Sequence, residues 1–142
     1  QIFYGEQMKK EIIVSLKIPD TTRITAQQAL NRMGVDAKLN LRADYYAIDV
    51  EQESVMQELA NADVIVNANK HKVTFEKPQG SNLIVMNKGD DGSSLLHTLS
   101  NRLEIRGINS IRKGVLWNIE GDVQGAQKAL LVNDEFQEFM LE

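Results

Sequence analysis

Apolar and polar positions along the chain fall into blocks whose period switches between two and about 3.6, the signatures of strand and helix. Residues 11–16 (EIIVSL) are apolar and β-branched and predict a strand; Pro19, Asp20 and Thr21 end it and offer a helix cap. Ala26, Ala29, Leu30 and Met33 then form one helical stripe that Gly34 closes. Residues 37–50 predict two short strands turning near Ala43-Asp44, with Tyr46, Ile48 and Val50 on one face. A helix over residues 52–62, with Val55, Met56 and Leu59 inward, and a strand over 70–76 complete an order β-α-β-β-α-β.

After Lys77-Pro78-Gln79-Gly80-Ser81, the clearest linker in the chain, the order begins again. Residues 82–86 predict a strand and Gly89-Asp90-Asp91-Gly92 a turn and cap. Leu95, Leu96, Leu99 and Leu103 line a helix that stops before Gly107. A hairpin over 108–119 turns near Lys113-Gly114, a short helix capped by Asp122 runs through Leu131, and residues 136–141 form the last strand. Leu30, Leu59, Leu99 and Leu130 are the expected core leucines of the four helices.

The two halves align by constant offsets. Val14 and Val85, Lys17 and Lys88, Asp20 and Asp91, and Ile48 and Ile119 each lie 71 apart. Arg42 and Arg112 lie 70 apart, and Val66-Asn67 precede Val132-Asn133 by 66. Slippage confined to turns and one helix points to duplication. The expected fold is α+β: two tandem ferredoxin-like βαββαβ units, residues 9–76 and 82–142 joined by a linker at 77–81, forming a covalent pseudo-dimer through sheet faces or edge strands.

Composition narrows the function classes. The net charge of −4 argues against a nucleic-acid binder, which needs clustered positive charge. The chain has no cysteine, which excludes disulfides, thiol nucleophiles and Cys-based zinc sites and fits a cytoplasmic setting. No apolar run approaches the ~20 residues of a membrane helix. Residues 1–7 are too polar for a signal peptide, and Met8-Lys9-Lys10 reads as a natural start.

Candidate chemistry is sparse. His71 and His97 lack the i, i+4 partner of a helical metal site, and both read as surface or boundary residues. Gly89-Asp90-Asp91-Gly92 lacks a phosphate-loop pattern, and its aspartates would repel phosphate. Asp20, Asp90 and Asp91 suit helix N-termini for dipole reasons alone. An acylphosphatase-like anion loop would need arginine where Pro19-Asp20 stands. No catalytic residue, cofactor or metal ligand is assigned. Tyr45, Tyr46 and Trp117 stand beside Arg42 and Arg112-Lys113, and aromatic residues with arginine are enriched at binding hot spots. Tyr46 and Trp117 are expected to fill the core, and Tyr45 to alternate outward. Arg42, Tyr45, Arg112 and Lys113 are the candidate protein-interface residues.

The motifs resemble the PurS family, the small subunit of phosphoribosylformylglycinamidine synthase. The first strand IIVSLK (12–17), the helix end ALNRMG (29–34), IRKG (111–114), and VIVN (64–67) with LLVN (130–133) follow that family's order in both halves. The family's turn Gly-Lys is Ala43-Asp44 in the first half and Gly114-Val115 in the second, and its D-P-x-G after the first strand is missing from both. A fused pair is similar to the N-terminal region of the large single-chain enzyme. The resemblance implies a non-catalytic subunit that bridges the synthetase and glutaminase subunits of formylglycinamide ribonucleotide amidotransferase in purine biosynthesis, with self-association possible. The alternative is an ACT-like pair that senses an amino acid, for which Gly89 supplies part of the expected turn.

Overall fold

A computed structural model describes residues 8–142; the expectation placed on residues 1–7 lies outside the described residues. The elements are β1 (Met8–Leu16), α1 (Thr21–Arg32), β2 (Ala37–Val50), α2 (Ser54–Ala60), β3 (His71–Thr74), β4 (Ser81–Asn87), α3 (Ser93–His97), β5 (Ile108–Gly121), α4 (Val123–Ala126) and β6 (Gln137–Leu141). Thr98–Arg102 extends α3 and Gln127–Leu131 extends α4, both as π-helical turns. The chain is thus α+β, with helices on an antiparallel sheet of order β3-β1-β2-β5-β4-β6.

The starts of α1 and α4 follow from the sequence. Asp20 caps α1, its Oδ1 accepting from the backbone N–H of Thr22 and Arg23 at 3.0 and 3.3 Å. Asp122 caps α4 through the N–H of Gly125 at 2.8 Å.

The two expected hairpins do not form, so neither half reads βαββαβ. Residues 37–50 are one strand, and β5 runs straight through Lys113-Gly114, leaving β-α-β-α-β in each half. Neither Ala43 nor Asp44 has positive φ, and Gly114 is not among the positive-φ glycines. A tight two-residue hairpin needs that conformation. Gly114 answers a different need: a Cβ there would sit 2.5 Å from the Val85 carbonyl oxygen. The glycine permits close approach of β4 to β5.

β2 and β5 pair along nearly their full lengths, with Asp44 opposite Val115 near the centre. An extra residue interrupts the register between Leu39 and Leu41, and another between Asp49 and Val50. The first bulge reverses the alternation of β2, so Leu39 shares the helix side with Tyr46, Ile48 and Val50.

All four described helices cover one face of the sheet, in two cores that each mix the halves. Ile12, Tyr46 and Leu59 pack with Leu99, Ile105 and Ile111. Leu30 and Leu39 pack with Leu83, Trp117, Ile119 and Leu131. Three of the four expected core leucines are buried: Leu30, Leu59 and Leu99. Leu130 is instead 39% exposed and Leu131 takes the core position. The π-helical turn at Gln127–Leu131 adds a residue to the turn, which rotates the following side chains off the α-helical stripe.

Among the described residues the opposite face carries no helix, yet Ile13, Ala43, Tyr45, Ile84, Met86 and Leu116 are buried there. The segment between β3 and β4 lies over it as a strap. Lys77 reaches Glu11 on β1, while Asn118 and Asn82 donate to the carbonyls of Gln79 and Pro78. Crossing from β3 to β4 over three strands requires about 19 Å, and the seven steps from Thr74 to Ser81 span about 23 Å when extended. The expected linker is therefore tied to this face by polar contacts at Glu11, Asn82 and Asn118.

Candidate functional site

The four candidate residues all lie on the central β2–β5 pair, and the alternation of the strands divides them between the faces. Arg42 and Lys113 stand on the helix side; Tyr45 and Arg112 stand on the strap side, because Tyr45 opposes Ile13 and Arg112 shares its parity with Leu116.

On the helix side two cation–aromatic pairs face each other across the strands. Arg42 opposes Trp117 and lies 5.8 Å from its ring centroid. Lys113 opposes Tyr46 and lies 5.7 Å from its ring. Such contacts stabilise by about 0.5–1 kcal/mol when exposed and more when dry. Tyr46 and Trp117 are buried, as the core reading expected. The register makes Lys113, not Arg112, the partner of Arg42 at an offset of 71. Without a hairpin turn there is no slip of one residue to absorb.

Arg42 also faces Asp20, Nη1 to Oδ2 at 3.5 Å. Among the described residues that buried oxygen has no hydrogen-bond donor, so the guanidinium charge is its compensation. Lys113 is about half exposed and lies 3.8 Å from Asp44. The Tyr46 phenol is pushed up to about 12 by burial, with the Asp44 charge adding to it.

On the strap side, Arg112 is held by its own chain. Its Nε donates to the Asp90 carbonyl and its Nη2 to the Asn87 carbonyl, both at 2.8 Å, and Nη1 meets Glu138 Oε1 at 2.7 Å. It thereby ties the β4–α3 loop and β6 to β5. Tyr45 is buried rather than outward-facing in solvent, and its hydroxyl donates to Glu11 Oε2 at 2.8 Å. Burial raises its phenol well beyond the ordinary range, with the Glu11 hydrogen bond and charge adding to the shift.

Glu11, Lys77 and Glu142 complete this cluster and were not singled out by the sequence. Lys77 Nζ lies 2.7 Å from Glu11 and 3.6 Å from Glu142. Burial opposes its charge, but these two carboxylates outweigh that and raise its proton affinity. The alternation Lys9, Glu11, Ile13 on β1 was the available signal, since it puts Glu11 on the face of Ile13. Nothing local to Lys77 announced its partners.

Beyond the strap the same face opens into a cleft of about 590 Å³. Tyr45, Glu11 and Lys77 line one part of it, Phe75 and Met140 contribute apolar surface, and Arg112 carries positive charge. The histidines serve turns: the Asn67 N–H donates to His71 Nδ1, and Asn101 bonds His97. In the Gly89-Asp90-Asp91-Gly92 turn, Asp90 and Asp91 accept from the N–H of Gly92 and Ser93. Among the described residues, no three acidic or imidazole side chains gather to hold a metal ion. No described helix is long and apolar enough to cross a membrane.

No protein-family model matches this chain, and no curated protein matches it.

Proposed function

We propose that the chain is a tandem PurS-like pair that bridges the synthetase and glutaminase subunits of formylglycinamide ribonucleotide amidotransferase and performs no chemistry by itself. The observation that carries this reading is a hydrogen-bond signature repeated at the asparagines of VIVN and LLVN. Asn67 Oδ1 accepts from the N–H of Asn69, and Asn133 Oδ1 from that of Glu135. The N–H of Asn67 donates to His71 Nδ1, and that of Asn133 to Gln137 Oε1. Lys17 Nζ donates to the Ala68 carbonyl, and Lys88 Nζ to that of Asp134. These partners are offset by 71 at the lysines and 66 after the second helix, as the sequence is.

Strand registers agree with the same offsets: Ile12 opposes Tyr46 as Leu83 opposes Trp117, and Val14 opposes Val73 as Val85 opposes Phe139. This supports two related units, residues 9–76 and 82–142, joined at 77–81 and meeting edge to edge through β2 and β5. A pseudo-two-fold axis at the Asp44–Val115 pair would relate them, as in an isologous dimer. The bridging role itself comes from the family resemblance. Of the four candidate residues, Lys113 is the one best exposed to a cytoplasmic partner.

Reconstitution tests the role. Alone, the protein should show no glutaminase, ATPase or amidotransferase activity. Added to the synthetase and glutaminase subunits, it should bind and restore glutamine-dependent formation of formylglycinamidine ribonucleotide. Failure to bind either subunit refutes the proposal. The ACT-like reading draws on the strap-side cleft, to which Tyr45 and Arg112 contribute from different halves. A thermal-shift screen with amino acids and nucleotides distinguishes it, since an amino-acid sensor should gain stability with its ligand.

A further inference from the structure

We draw no further inference here: the strongest candidate, the strap-side cleft between Tyr45, Phe75, Lys77, Arg112 and Met140, belongs to the site already described, and because Lys77 and Arg112 are spent on Glu11, Glu142 and Glu138 nothing in the structure shows what fills it.

Discussion

Arg112 shows how a residue's chemistry is redirected by its neighbours. Its guanidinium holds the carbonyls of Asn87 and Asp90 and the carboxylate of Glu138, so it braces a loop and an edge strand. Arg112→Ala should therefore lower the unfolding free energy by about 1–3 kcal/mol, after allowance for a partly exposed ion pair. Urea denaturation measures this, and an unchanged midpoint would contradict the bracing role. Tyr45 makes a pH prediction. The folded protein holds the phenolic protons of Tyr45 and Tyr46 more tightly than the unfolded chain, whose tyrosines titrate near pH ~10. Their contribution is complete below that pH and is lost as pH rises through the folded-state values. Stability should thus decline in the alkaline range, less steeply in Tyr45→Phe, when denaturation is repeated between neutral and strongly alkaline pH.

At the scale of elements, α4 and its π-helical continuation give the sharpest contrast. Leu131→Ala should lose about 2–5 kcal/mol, the usual cost of truncating a buried leucine, discounted slightly because 8% of it is exposed. Leu130→Ala should lose less than about 1 kcal/mol. Equal losses by thermal denaturation would mean that the helix faces the core as an ordinary α-helix. The helical period in the sequence located this element but assigned the wrong leucine, because one π turn changes the face without changing any residue. The long strands carry the same lesson. Val, Ile and Tyr marked residues 37–50 as extended, yet whether they turned at Ala43-Asp44 depended on a partner of equal length, β5.

For the whole molecule, the mixing of halves in both helix-side cores has a consequence. Residues 8–76 alone would lose Leu99, Ile105 and Ile111 from one core and Leu83, Trp117 and Leu131 from the other. Neither residues 8–76 nor 77–142 should fold cooperatively by itself, whereas the two mixed should recover a common melting transition by circular dichroism. A half that melts cooperatively alone would show that its own apolar surface suffices.

Where the extended and helical segments lie, and the capping aspartates Asp20 and Asp122, were set by local spacing: periodicity, β-branching and turn residues act within a few positions of the chain. The register of β2 on β5, the division of Arg42 and Lys113 from Tyr45 and Arg112, the ties of the strap to Asn82 and Asn118, and the Glu11–Lys77–Glu142 cluster were decided only by the tertiary structure. The reason is alternation with a period of two: one bulge or one absent turn moves a side chain to the other face of a sheet. An ion pair such as Lys77 with Glu142 joins residues 65 positions apart, a separation that no local pattern encodes.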